Sequence, residues 1–193
     1  RVIKCWSMKK AAHQKRKKVV VVNDHMQKDY RYACVEPVGK NFDATFKPDL
    51  TPKEMLKLGI FGGLHLNDCI KEFPRSWLTG VQFSQTGKHD AKLNYFGVNA
   101  SQSLAEWKRK GWIYKDDPRG WFQWYCRYWI GRRGHTDHIQ IGRWKAFIRH
   151  KGQILASIKK MKKKDRPNTR EKMMNHRPKQ RQALLQWAYD PFI

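Results

Sequence analysis

Apolar positions along this chain gather into short runs of helical spacing, and the densest run lies between Asp116 and Arg133, reading DDPRGWFQWYCRYWIGRR. Trp121, Trp124, Tyr125, Tyr128 and Trp129 recur at three- and four-residue intervals, the signature of one helix face. Phe122, Cys126 and Ile130 widen that face until only Arg119, Gln123 and Arg127 remain as a polar strip. A helix this apolar on all sides belongs inside a protein, its strip turned toward something specific. Asp117 and Pro118 read as its N-cap and first position. Gly131 and Gly134 end it and set Arg132 and Arg133 at the negative end of the helix dipole.

The remaining pattern supplies the other elements. Thr51-Pro52-Lys53-Glu54 is a capping box that starts a helix carrying Met55, Leu56 and Leu58, stopped by Gly59 or the Gly62-Gly63 pair. That pair either cradles an anion or makes a tight turn. Ser103 and Glu106 form a second box, and the helix they open, with Trp107, ends at Gly111. Two helix starts this close predict a tight helix-turn-helix packing Trp107 and Trp112 on the aromatic face. A long helix is expected over 136–163, with Ile141, Trp144, Ile148, Leu155 and Ile158 as a heptad-like stripe under a cationic outer side. Pro178 opens a last helix with Ala183, Leu184, Leu185 and Trp187 inward and Arg181 outward. Val19–Val22 reads as a short strand able to pair with Tyr30–Val35, Leu93–Val98 as another strand-like segment, 64–73 as a short helix and 81–92 as a surface loop. The expected fold is mainly α (α+β): an aromatic central helix, a small N-terminal β element and basic C-terminal helices. Its expected divisions are a basic arm over 1–18, a globular helical domain over 19–164 and a basic C-terminal helix over 165–193 packed on that domain.

Charge changes this picture. Of 193 residues, 40% are hydrophobic and 13% aromatic, a globular composition, yet 41 Lys and Arg stand against 16 Asp and Glu for a net charge of +25. Residues 1–18 hold eight basic residues and no acid, and 143–181 hold fifteen basic residues against Asp165 and Glu171 alone. The intervening 19–142 carry a net of only +5, from 18 basic and 13 acidic residues. Excess charge confined to the ends is the distribution of basic arms on a folded body, and it points to a polyanion as partner. The four cysteines are widely spaced without a CxxC pair, and the longest apolar run, Val19–Val22, is strand-sized, so neither a disulfide framework, a zinc motif nor a membrane span is indicated. Without a signal peptide, the expected location is intracellular, nuclear or nucleoid-associated.

The expected function is therefore nucleic-acid binding, duplex DNA ahead of RNA, with no cofactor, metal or catalytic residue assigned. Phosphate contacts fall to Arg143, Lys145, Arg149, Lys159, Lys160, Lys163, Arg177, Lys179 and Arg181, and base or shape reading to Arg119, Gln123, Arg127, Arg132 and Arg133 near the central helix. The alternative for Arg119 and Arg127 is an internal ion pair with Asp116, Asp117 or Glu106. Asn94, Asn99, Ser101 and Gln102 form a polar cluster suited either to a base-reading pocket or to turns. A nuclease or base-excising enzyme is the second reading, with Asp116, Asp117 or the group His135, Asp137 and His138 as its site, although that spacing matches no established metal motif. A structural RNA-binding protein of a ribonucleoprotein is the third.

The DPRGWFQWYCRYWIGRR block, with LNYFGVNASQ, TPKEMLKLGIFGG and the terminal RPKQRQALLQWAYD, resembles a family of proteins that carries this block. The resemblance spans most of the chain from Tyr30 onward and implies no activity, cofactor or catalytic residue.

Overall fold

The computed structural model describes residues 17–193, so most of the expected basic arm lies outside the described residues. Among the described residues the fold is mainly α-helical, with six α-helices and one two-stranded antiparallel sheet near the start. Strands β1 (Lys18–Val22) and β2 (Tyr30–Cys34) pair from Lys18↔Cys34 to Val22↔Tyr30. Asp24 closes their connection, its Oδ1 accepting from the backbone N–H groups of Met26 and Gln27. Helix α1 (Pro52–Leu58) carries both halves of the Thr51/Glu54 capping box and ends at Gly59, as its residues dictate. Helix α2 (Leu104–Arg109) starts at Ser103, whose hydroxyl accepts from Glu106 N–H, but the Glu106 carboxylate turns instead to Arg109 and Lys110.

The aromatic helix α3 (Trp121–Trp129) begins one turn later than Asp117-Pro118 suggests. Asp117 is wholly buried and bonded to arginines, so it does not cap; Gly120, at φ +86°, takes that position. Gln123 reaches back from the first turn to accept from Arg119 N–H at 3.0 Å. Every residue of α3 from Trp121 to Tyr128 is buried. Phe46 sits against it at the centre of the core, its ring 4.9–5.7 Å from those of Trp124, Tyr125, Tyr128 and Trp144, mostly edge to face. Each such side chain removed from water contributes about 1.5–3 kcal/mol, which makes this cluster the main source of stability.

Helix α4 (Asp137–Lys159) packs along α6 (Pro178–Gln186), with the short α5 (Arg170–Asn175) between them in sequence. Trp144 stacks on Tyr189 at 4.8 Å and Phe147 on Trp187 at 4.0 Å. The buried stripe of α4 runs through Ile141, Trp144 and Ile154, with Phe147 and Ile158 partly buried. The expected members Ile148 and Leu155 instead lie exposed. Arg181, expected outside, has no exposed surface: it donates to the carbonyls of His176 and Pro191 and so ties both ends of α6 together. The segments 64–73 and 93–98 form turns and short 3-10 pieces rather than a helix and a strand. Asn94 explains the second case, since its amide bonds Gly62 N–H and the Val98 carbonyl and folds the segment back on itself.

Candidate nucleic-acid interface

The basic residues of the central block divide by what they touch. Arg127 has no exposed surface and satisfies all five of its N–H groups: Nε and Nη2 on the two Glu72 oxygens, Nη2 also on Gln27 Oε1, and Nη1 on the Asp116 carbonyl and on Asp117 Oδ1 at 3.3 Å. Burial works against this charge, and the Glu72 carboxylate outweighs it, holding the guanidinium above its ordinary pKa. Arg132 pairs with Asp117 Oδ2 at 2.6 Å. Arg133 lies 3.8 Å over the Tyr128 ring and donates to the carbonyls of Tyr128, Arg132, Lys40 and Asn41, closing the C-terminal end of α3. Gln123 is buried at the opposite end. Arg127, Arg132, Arg133, Gln123 and Arg181 therefore leave the set of base- or phosphate-contacting candidates, because their donors or their positions are committed to the core.

The cations of the C-terminal third are of the other kind. Lys145, Arg149, Lys159, Lys160, Lys163, Arg177 and Lys179 are exposed, and Arg143 is half-buried. Among the described residues, no Lys or Arg between 143 and 181 lies within 4.0 Å of a carboxylate, whereas the arginines near α3 are heavily paired. Lys160 and Arg177 also line one cleft between the end of α4 and the start of α6.

Beside α4 lies a groove of about 480 Å³. Arg143 and Arg149 border it on α4, Trp107, Trp121 and Trp187 floor it, and Trp112, 43% exposed, stands at its edge. Arg143 is held in place by its bond to the Trp112 carbonyl at 2.6 Å and by the Tyr114 ring beneath its guanidinium at 5.2 Å. Ser101, Gln102, Trp107 and Trp121 are shared with a second, larger cavity of about 580 Å³, so the two adjoin.

The larger cavity is built from five chain segments, with His25 and Met26 entering from the connection between β1 and β2 and Gly87 and His89 from the loop before Asp90. The Gly62-Gly63 turn brings in Phe61, Leu64 and His65; Gly62 N–H is taken by Asn94, so the pair makes a turn and not an anion cradle. Gly62, at φ +59°, lets His89 pack against the backbone, where an added Cβ would meet the ring at 2.5 Å. Asn99, Ser101 and Gln102 enter from the segment before α2, and Trp121 and Phe122 from α3. Arg119 closes the base of the cavity: Asp68 takes its Nε and Nη2, at 3.0 and 2.7 Å, and Asp24 lies 3.2 Å from Nη2. Its Nη1 is buried without a hydrogen-bond partner in the protein, as is His65 Nε2. Burial, and then the Arg119 charge, push the His65 pKa down to about 3, so this ring is neutral at physiological pH. The sequence marked out Asn99, Ser101 and Gln102 but not His65, Asp68 or His89, whose meeting depends on long-range folding.

No family model, curated protein or solved structure matches this chain. Its chemistry has to be read from geometry.

Two possible catalytic or metal sites do not assemble. Asp137 accepts from Trp124 Nε1 at 2.8 Å and from Gly134 N–H at 2.9 Å, which makes it a structural brace at the start of α4. His135 and His138 are exposed, and the contact of His135 with Asp116 is 3.9 Å long. Asp24, Cys69 and Glu72 converge within 4.8 Å. Both Glu72 oxygens are nevertheless taken by Arg127, one of them also by the Tyr32 hydroxyl, and burial holds the Cys69 thiol protonated with its pKa raised to about 12. A cation there would displace the arginines that anchor α3, so this donor set does not fit a metal.

Proposed function

We propose that this protein binds nucleic acid, duplex DNA in preference to RNA, along α4 and the C-terminal segment that follows it. The observation that carries the reading is the set of fourteen basic residues over 143–179, none within ion-pair distance of a carboxylate among the described residues. Unpaired cations at this density repel one another, and a polyphosphate relieves that repulsion while releasing its own counterions. The 23 residues of α4 span about 35 Å at 1.5 Å per residue, roughly one turn of duplex. B-form DNA admits a helix to its major groove, whereas the deep, narrow major groove of A-form RNA does not, and this favours DNA. A nuclear or nucleoid location follows from the same reading.

The decisive experiment is binding of the full chain to a duplex DNA, its single strand and a structured RNA across a salt series, with magnesium present and the products resolved on a gel. Tight, steeply salt-dependent binding to intact duplex is expected. Preference for RNA would assign the chain to a ribonucleoprotein, cleaved or abasic product would make it an enzyme, and weak binding to every polymer would defeat the reading.

A further inference from the structure

We propose that the larger cavity beside the groove receives a single nucleobase swung out of the bound strand; this rests on the nucleic-acid reading of the cationic face. Four observations support it. The cavity is lined by rings from two clusters. Phe61, His65 and Phe122 touch one another at 4.4–5.9 Å, and Trp107 and Trp121 both pack on Trp187. Surfaces of this kind favour a flat aromatic guest over a sugar or an aliphatic chain. Asn99, Gln102 and His65 supply neutral polar groups, and the two charged residues of the lining, Arg119 and Asp68, are paired with each other at 2.7 Å, which suits the hydrogen-bonding edge of a base better than a phosphate.

Two nitrogens lie unsatisfied beneath this wall, Arg119 Nη1 and His65 Nε2. Unpaired buried polar atoms are costly, and among the described residues these two are the ones of their kind whose residues line the cavity, where a guest can partner them. Arg119 can only donate, so the guest must present an acceptor; His65, neutral, donates or accepts according to its tautomer. Both nitrogens are shut off from water-sized contact, so a small movement of the wall accompanies binding.

The adjoining groove shares Gln102 and Trp107 with the cavity and is bordered by Arg143 and Arg149. A backbone held at those arginines delivers one nucleotide past Trp107, and the unstacking cost is least where the base is already unpaired.

The test compares three duplexes of one sequence: fully paired, with one unpaired base, and with an abasic residue in place of that base. The full chain is expected to bind the unpaired base about tenfold more tightly than the abasic duplex, at the low end of what one base stacked on aromatic rings contributes. Trp107→Ala should abolish that difference, and a folded variant that keeps the full tenfold preference would overturn the cavity assignment. Gln102→Ala, on an exposed side chain that no core packing needs, should reduce the difference and guards against misfolding of the tryptophan variant. Equal affinity for the unpaired and abasic duplexes, with the paired duplex still bound, would overturn the cavity assignment and leave the cationic interface standing. Failure to bind any duplex would overturn both. A nucleoside monophosphate, titrated by calorimetry, that binds more tightly than the unpaired base in duplex would replace the strand with a free nucleotide as the source.

Discussion

Replacing Glu72 by alanine removes the one carboxylate that takes two N–H groups of Arg127. The guanidinium then stays fully buried, 5.2 and 5.3 Å from the rings of Tyr30 and Tyr32, with only Asp117 as counter-charge. Asp117 is already committed to Arg132 at 2.6 Å, so its attraction is divided. Breaking a buried pair and leaving one charge behind costs about 3–5 kcal/mol. With a urea slope of about 2 kcal/mol/M for a chain of this size, the unfolding midpoint of Glu72→Ala falls by about 2 M. Arg127→Met leaves Glu72 buried against a single Tyr32 hydroxyl and loses a similar amount. The double variant, Glu72→Ala with Arg127→Met, removes both stranded charges together and should lose no more than either single change, a coupling of about 3 kcal/mol. Urea unfolding followed by tryptophan fluorescence measures all three, since α3 carries three of the tryptophans. A midpoint shift under about 0.5 M for Glu72→Ala, or a double variant that loses the sum of the singles, would refute the assignment of Arg127 as the anchor of the aromatic helix.

Three further outcomes follow from other contacts. His65, whose folded pKa is pushed down to about 3 from 6.5, contributes stability that is complete above pH 6.5 and is lost as the pH falls toward 3, because the unfolded chain takes the proton first. His65→Phe should therefore flatten the thermal midpoint between pH 7 and pH 4, and a pH profile as steep as that of the parent would contradict the burial of this ring. Changing Lys159, Lys160 and Lys163 together to Gln should make the slope of log affinity against log salt shallower by about 2.7, at about 0.9 per phosphate contact, without altering the preference for an unpaired base; an unchanged slope would remove these lysines from the interface. Gly131→Ala should cost more than about 2 kcal/mol in a thermal melt, since its φ of +107° is closed to alanine and the new Cβ would lie 2.0 Å from the Glu36 carbonyl oxygen; a stable variant would mean that the junction between β2 and α3 is looser than its hydrogen bonds indicate.

Local chemistry was the legible part of this fold. Thr51 with Glu54, Ser103, Pro178 and the β-branched run before Asn23 each announce an element through atoms only a few residues apart, and each element forms there. The misreadings arise where a distant partner decides. Asp117 reads as a cap until Arg127 and Arg132 claim its carboxylate, which moves the start of α3 to Gly120. Arg181 reads as a surface residue because charge ordinarily avoids the core; the carbonyls that satisfy it belong to His176 and Pro191, on either side of its helix. The candidate site was legible by halves. Its cationic side is a matter of composition, and Asn99, Ser101 and Gln102 stand out as a polar cluster. His65, Asp68 and His89 join them only through the turns at Gly62 and Asn94, which no periodicity foretells.

The separation of the two kinds of basic residue is the strongest reason to look for function outside the motif that dominates the sequence. Arg119, Arg127 and Arg132 are each matched to a carboxylate, and Arg133 and Arg181 to backbone carbonyls, so the aromatic block uses its arginines as internal fasteners. A fold that buries Phe46, Trp124 and Leu184 this thoroughly gains nothing from the lysines at 159, 160 and 163, which touch no acid and repel their neighbours. Charge of no structural use is accounted for when its partner is another molecule. The groove and cavity that adjoin at Trp107, lined by Arg143 and Arg119 respectively, lie where the two regimes meet, with free cations at the rim and fastened ones at the base. On the proposed reading, a strand drawn to the rim by charge would meet a surface of aromatic rings beside it, and that order of encounter would separate affinity from selectivity.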